Sequence, residues 1–212
     1  MEKVEYWLPT SVNNIINSFN FNCKEVLKKN LAYNIQYLQY LSKNIAEEKT
    51  TSALYRMRYK TFVVTSMSVI EAIFIILLNE RNLIPTVEWK EGTHHHNNID
   101  ENTIEVSFKR KRISPQIKKI NFDESIHLMQ TNQILNASDA MYPVIRVLQD
   151  LRNRLHLDKA NQLMDSDYNC FGEGTYKITK LVLYKILNNK IVSKDNKYLD
   201  FIKPPEKITI SH

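Results

Sequence analysis

The chain is poor in cysteine and in glycine. Of its 212 residues, two are cysteine and three are glycine. Cys23 and Cys170 lie far apart in the sequence, which argues against a disulfide framework and against a cysteine-based zinc site. A phosphate-binding loop needs closely spaced glycines, so a nucleotide-dependent enzyme of that type finds no support either. We therefore expect one domain, residues 1–212, that folds around a hydrophobic core and uses no cofactor.

The N-terminal residues lack the basic segment and the short apolar segment of a secretory signal. We therefore expect a protein of the reducing cytoplasm. The longest apolar run, residues 62–78, is slightly shorter than the roughly 20 residues needed to cross a bilayer. It also contains Glu71, and a carboxylate at bilayer depth is costly. The run predicts a helix buried in a core, and we expect no membrane partner.

Positive charge is in excess and is concentrated in one region. The formal net charge is +6, which favours acidic partners such as nucleic acid. Six cations precede the next acid, Asp123; they are Lys109, Arg110, Lys111, Arg112, Lys118 and Lys119. Such a cluster attracts a phosphate backbone, and the first four are our candidate RNA-binding residues. The alternative interpretation is a solvated basic loop.

Apolar residues recur at helical spacing over most of the chain, which predicts a mainly α fold. The first predicted helix begins at residues 9–11 and ends near Glu48, with a break near residues 20–22. Residues 50–52 provide the cap of a second helix. Three further helices are predicted, from Phe122 to about Leu135, from Tyr142 and Pro143 onwards, and from Thr175 to about Asn188. Residues 190–212 are predicted to form an extended tail.

Residues 86–114 have a different periodicity. Ile104, Val106 and Phe108 alternate with polar residues, which predicts a strand, and residues 86–90 are its predicted antiparallel partner. We therefore expect a small β-hairpin inserted between helices. Its loop contains His94, His95 and His96. Adjacent histidines point in different directions and no acid or cysteine stands at ligand spacing, so we expect exposed loop residues and no metal site.

The segment Leu-Arg-Asn-Arg-Leu-His-Leu near the end of one predicted helix carries the candidate chemistry. Arg152 and His156 are four residues apart, so they lie about 40° apart around the helix and roughly 6 Å apart along it. An imidazole can transfer a proton at neutral pH, and a guanidinium can hold a phosphate oxygen. The alternative is that both only complement the helix dipole. Because a buried acid needs a partner, we predict that Glu71 pairs with Arg152 or Arg154.

The long helix, the second helix with its embedded Glu71 and the Arg-Asn-x-x-His segment together resemble the HEPN superfamily. Members are typically up-and-down bundles of four or five helices that dimerise, so that two Arg-polar-x-x-x-His motifs form one composite site. Many are metal-independent endoribonucleases of toxin–antitoxin and antiviral defence systems. The resemblance matches Arg152, Asn153 and His156 to the motif positions. Three residues separate Arg152 from His156 here, against four to six in most members.

The resemblance implies a homodimer that cleaves RNA, with tRNA or mRNA as the substrate and an antitoxin or a defence complex as a further partner. The ribose 2′-OH would attack the adjacent phosphorus and leave a 2′,3′-cyclic phosphate. His156 would transfer a proton, Arg152 would stabilise charge, Asn153 would position the substrate, and Arg154 would bind phosphate or pair with Glu71. The alternative is a non-catalytic HEPN-like module for RNA or partner binding and dimerisation.

Overall fold

The protein is mainly helical, as predicted. The computed structural model describes residues 7–47, 50–87, 92–95, 105–108, 116–135, 140–154 and 166–205. The α-helices of these ranges are α1 (Val12–Ser18), α2 (Glu25–Glu47), α3 (Ser52–Glu80), α4 (Phe122–Thr131), α5 (Met141–Asn153), α6 (Asp167–Cys170) and α7 (Glu173–Leu187). A C-terminal 3₁₀ helix follows at Lys197–Ile202.

The first helical segment is broken where the sequence predicted. Ser11 caps α1, because its hydroxyl accepts a hydrogen bond from the backbone N–H of Asn14 at 3.3 Å. The helix ends before Phe19, whose ring stacks on Phe21 with the centroids 4.8 Å apart. Both rings are buried in the core. The chain therefore leaves the helical path here to bury two aromatic side chains, and α2 begins only at residue 25.

Helix α3 is the centre of the structure. Thr51 caps its N-terminus, as predicted, by accepting a hydrogen bond from the N–H of Leu54. The helix packs against α2, α4, α5, α6 and α7, and this is why apolar residues occur nearly all around it. By length and composition α3 could cross a membrane, but 61% of its most apolar window is buried inside the protein. Such burial is typical of the core helix of a soluble protein.

The strand pairing differs from the prediction. Strand β1 (Thr86–Val87) pairs antiparallel with β4 (Gln116–Ile117), while β2 (Gly92–His95) pairs antiparallel with β3 (Glu105–Phe108). The predicted partnership with the strand at 104–108 is therefore wrong for Thr86 and Val87, while residues 88–90 lie outside the described residues. Alternation identifies the strand at 105–108 but neither observed partner strand, because β2 lies in the predicted loop and β4 lies beyond the predicted hairpin.

The C-terminal segment is not extended throughout, which corrects the prediction for residues 190–212. Residues 197–202 form the 3₁₀ helix, and its Tyr198, Leu199 and Ile202 are buried against α2 and α7. Gln39 of α2 donates a hydrogen bond to the carbonyl oxygen of Tyr198 at 2.8 Å. The apolar side chains of this segment gain enough burial to offset the cost of ordering it.

Candidate functional site

Arg152 lies in the last turn of α5, on the side of the helix that faces the core. The helical spacing of the sequence predicts a core line of Val144, Leu148, Leu151 and Leu155. Instead, Met141, Ile145 and Leu148 are buried and Arg152 continues their line, at successive spacings of four, three and four residues. Val144 and Leu151 are only half-buried, and Leu155 lies outside the described residues. The helix therefore directs Arg152 toward α3.

Arg152 forms an ion pair with the carboxylate embedded in α3. Its Nη1 lies 2.7 Å from Oε2 of Glu71, and the two side chains are 26% and 24% exposed. The predicted pairing of Glu71 with an arginine of the motif is present, and the partner is Arg152. A charge-assisted bond of this length fixes both side chains, and the guanidinium has further donors that this contact does not use.

A third helix contributes an aromatic side chain beneath the arginine. The guanidinium carbon of Arg152 lies 5.8 Å from the ring centroid of Phe122, the first residue of α4. This distance is within the range of a cation–π contact. Phe122 is itself buried against Phe74, with their centroids 6.2 Å apart. No local pattern indicated this contact, because 29 residues lie between Phe122 and Arg152 in the sequence.

The start of α4 is well fixed. Asn121 and Glu124 form a capping box, in which each side chain accepts a hydrogen bond from the backbone N–H of the other residue. Asp123 of α4 also pairs with Arg146 of α5. The elements that position Arg152, Glu71 and Phe122 are therefore bound to one another as well as to the core.

The two residues that follow Arg152 have different surroundings. Asn153 is the last residue of α5 and is exposed. Arg154 is half-buried, and its Nη1 lies 3.6 Å from Sγ of Cys170 in α6. Of the two predicted roles of Arg154, the ion pair with Glu71 is formed by Arg152 instead. Phosphate binding by Arg154 stays a prediction.

Other predicted site residues fall outside the described residues. They are His156 and the basic cluster Lys109, Arg110, Lys111 and Arg112. The backbones of His94 and His95 lie in strand β2, so the prediction of loop residues is wrong for these two, whereas His96 is outside the described part. Among the side chains that are described, no group of three histidine, cysteine, aspartate or glutamate residues is placed to hold a metal ion.

A second cluster of charged and aromatic residues, which the sequence analysis missed, joins α6 to the first half of α3. Nζ of Lys60 lies 2.6 Å from Oδ2 of Asp167, and both side chains are largely buried. The guanidinium carbon of Arg56 lies 4.8 Å from the ring centroid of Tyr168. Hydrogen bonds from Ser52 and Arg56 lower the pKa of the Tyr168 hydroxyl. These partners are more than 100 residues apart, so no local pattern could reveal them.

Comparison with known proteins identifies no relative. No family model matches the chain, and no curated protein and no solved structure is significantly similar to it. The resemblance to the HEPN superfamily therefore stays a prediction. The candidate site is therefore the arrangement of Arg152, Glu71 and Phe122 on three packed helices.

Proposed function

We propose that the protein is a metal-independent endoribonuclease of the HEPN type that acts in the cytoplasm. In this proposal the helices form a HEPN-like up-and-down bundle with a β-hairpin insertion. Two copies form one composite site, and the substrate is tRNA or mRNA. An antitoxin or a defence complex restrains the activity.

The observation that carries the proposal is the ion pair between Glu71 and Arg152. An arginine at the surface of a bundle is usually mobile, whereas this one is held 2.7 Å from a carboxylate and against an aromatic ring. It remains about one quarter exposed. A preorganised guanidinium with unused donors suits the stabilisation of charge on a phosphorane, because no reorganisation is needed during the reaction.

The proposed reaction needs two proton transfers and no redox step. The 2′-oxygen bonds to phosphorus and gives up its proton to a base, while the bond from phosphorus to the 5′-oxygen breaks and that oxygen takes a proton from an acid. His156 is the proposed proton-transfer group and Arg152 the proposed charge stabiliser. Asn153, exposed beside Arg152, is the proposed substrate-positioning residue.

A dimer explains how one histidine per motif can suffice. The reaction requires a base and an acid at the same time, and a single imidazole is only one of them. A two-fold axis at the motif would bring two copies of His156 to one phosphate, so that one accepts a proton while the other donates one. The need for a second proton-transfer group is therefore the chemical reason for proposing a homodimer.

A second candidate function is a non-catalytic module that binds RNA or a partner protein. The same ion pair favours it, because Glu71 already compensates the charge that a substrate phosphate would otherwise meet at Arg152. The two candidates differ in one respect that can be measured, which is strand cleavage.

The deciding experiment incubates purified protein with total cellular RNA in EDTA and reads both fragmentation and end chemistry. We expect fragments with 2′,3′-cyclic phosphate and 5′-OH ends. His156→Ala should cleave about 10² to 10⁴ times more slowly while it still binds RNA. The matched control is His127→Ala, because His127 is an exposed histidine of α4, and this variant should cleave like the wild type.

Equal cleavage by His156→Ala and the wild type would refute the catalytic assignment. Intact RNA with both proteins, combined with retained RNA binding, would favour the non-catalytic module. Cleavage that EDTA abolishes would contradict the metal-independent mechanism.

A further inference from the structure

Lys180 lies at the edge of the apolar side of α7. The buried residues Tyr176, Leu183 and Leu187 stand one or two helical turns away along the chain, and all three lie within about 60° of Lys180 around the helix. The side chain of Lys180 is half-buried, while Lys177 of the same helix is exposed. Packing therefore withdraws this one amine of α7 from water.

An aromatic cluster lies beside the amine of Lys180. Nζ is 5.4 Å from the ring centroid of Tyr176. That ring stacks on Tyr59 at 5.0 Å and meets Phe62 edge-on at 4.8 Å between centroids. The hydroxyl of Tyr176 lies 3.0 Å from Oγ of Ser42. An aromatic ring attracts a cation, but it does not supply the oxygen acceptors that an ammonium has in water.

No acid compensates the charge of Lys180 within the part of the chain that the structure describes. The largely buried Lys60, by contrast, has its Nζ 2.6 Å from Oδ2 of Asp167. On the exposed side of α7, Nζ of Lys177 lies 2.7 Å from a carboxylate oxygen of Glu173. An ammonium that is removed from water without an acid partner is destabilised relative to the neutral amine.

The pKa values of Lys180 and Lys177 differ in the direction that these surroundings dictate. Burial lowers the pKa of the Lys180 ammonium, and no charged group of the described residues contributes to the change. The hydrogen bond to Glu173 raises the pKa of Lys177. At a given pH, Lys180 is therefore the neutral amine more often than Lys177. Only the neutral amine has the lone pair that attacks a carbonyl carbon.

We propose that Lys180 is an acylation site that reacts with acyl phosphates, the mixed anhydrides of a carboxylic acid and phosphoric acid. The neutral nitrogen bonds to the carbonyl carbon, and the bond between that carbon and the phosphate oxygen breaks. Phosphate leaves with the electron pair, and the nitrogen gives up its proton to water. The product is an uncharged amide, so the cost of keeping an ammonium in this position is removed.

The test treats the folded protein with acetyl phosphate between about pH 7 and pH 9 and follows each lysine by peptide mass spectrometry. Lys185 is the matched control, because it is exposed and lies in the same helix. Near pH 7, Lys180 should react at least about threefold faster than Lys185. The ratio of the two rates should fall as the pH rises, because the exposed lysine then also loses its proton.

A second measurement repeats the reaction in guanidinium chloride. Unfolding exposes both lysines to water, so Lys180 and Lys185 should then react at rates within about twofold of each other. Lys180→Arg, which retains the positive charge, should lose the modification at this position and keep it at the other lysines. This variant confirms which residue carries the acetyl group.

Three outcomes would overturn the inference. The first is a rate at folded Lys180 that is equal to that of Lys185 or lower. The second is a preference for Lys180 that persists in the unfolded protein, because the neighbouring sequence and not burial would then be its cause. The third is a ratio that does not change with pH. Lys180 takes no part in the proposed cleavage of RNA, so the two proposals fail independently.

Discussion

Glu71 Oε2 lies 2.7 Å from Nη1 of Arg152, and this contact joins the central helix to the last turn of the motif helix. Both side chains are mostly covered, so neither charge is fully hydrated. A pair at this depth differs from a surface salt bridge, because removal of one partner leaves the other charge poorly solvated. The ion pair therefore contributes to both the placement of Arg152 and the stability of the fold.

We predict that Glu71 and Arg152 are energetically coupled. Glu71→Gln and Arg152→Gln should each lower the free energy of unfolding by about 1–3 kcal/mol, between the values typical of exposed and buried pairs. The double variant should lose less than the sum, with a coupling of about 1–2 kcal/mol in a double-mutant cycle. Urea denaturation measures all four free energies.

The control for this cycle is the pair formed by Glu173 and Lys177 in α7. Their charged atoms are 2.7 Å apart, as in the site, but both side chains are exposed. This cycle should show a much smaller coupling, of the size typical of an exposed i,i+4 helix pair, because water and salt screen the charges. Additive losses at Glu71 and Arg152 would contradict the proposed role of the buried pair.

Local signals in the sequence were sufficient for most helix starts. Ser11 and Thr51 were recognisable as caps, and both accept the expected hydrogen bonds. The pairing of Glu71 with an arginine was also predictable, since a carboxylate inside an apolar run needs a cation and the motif helix offers two. The caps depend on residue chemistry within one turn of a helix, whereas the ion pair was predictable only because an unpaired carboxylate in an apolar run is costly.

Other features that depend on distant partners were not predictable. The burial of Tyr198 depends on α2 and α7, and the pair formed by Lys60 and Asp167 depends on the docking of α6. The core-facing line of α5 was misjudged because its two candidate stripes are adjacent around the helix, and only the position of α3 distinguishes them. Tertiary packing determines such features, and a single sequence does not record it.

We predict that the basic cluster sets the salt dependence of RNA binding. Combined replacement of Lys109, Arg110, Lys111 and Arg112 by alanine should weaken binding and flatten the plot of log K against log salt. The slope should decrease by up to about 0.7 for each lost phosphate contact on a single strand. Anisotropy titrations at several salt concentrations measure it.

Lys118→Ala is the matched control for the cluster. Nζ of Lys118 lies 2.8 Å from a carboxylate oxygen of Glu124, so part of its charge is already compensated. Its removal should change the slope less than a single replacement within the cluster. An unchanged slope in the quadruple variant would support the interpretation of residues 109–112 as a solvated basic loop.

We predict that stability declines at alkaline pH because of Tyr198. Burial raises the pKa of its hydroxyl above the usual value of 10.0, although hydrogen bonds from Ser193 and Ser18 act in the opposite direction. The folded state therefore holds this proton more tightly than the unfolded state. The resulting stabilisation is complete below about pH 10 and is lost as the pH rises through the pKa of the folded state.

Thermal melts between about pH 8 and pH 11 check this prediction. Tyr198→Phe should melt at a lower temperature at pH 8, because the contact between its hydroxyl and Ser193 at 2.7 Å is lost. Its Tm should then fall less steeply than that of the wild type above pH 10. Tyr33→Phe, at an exposed position, should follow the wild type, and a parallel alkaline decline in Tyr198→Phe would refute the assignment.

We predict that Ser66→Ala leaves the protein at least as stable as the wild type. Ser66 is buried in α3. Its Oγ is also buried, and it has no hydrogen-bond partner among the described residues. Removing an unsatisfied hydroxyl avoids its desolvation cost, and alanine favours the helix, so the free energy of unfolding should rise by up to about 1 kcal/mol.

Ser42→Ala is the control, because Oγ of Ser42 lies 3.0 Å from the hydroxyl of Tyr176. Loss of this hydrogen bond should lower the free energy of unfolding by about 1–2 kcal/mol. Urea denaturation compares the two, and a clear destabilisation by Ser66→Ala would indicate that the hydroxyl is hydrogen-bonded in solution, for example to a buried water.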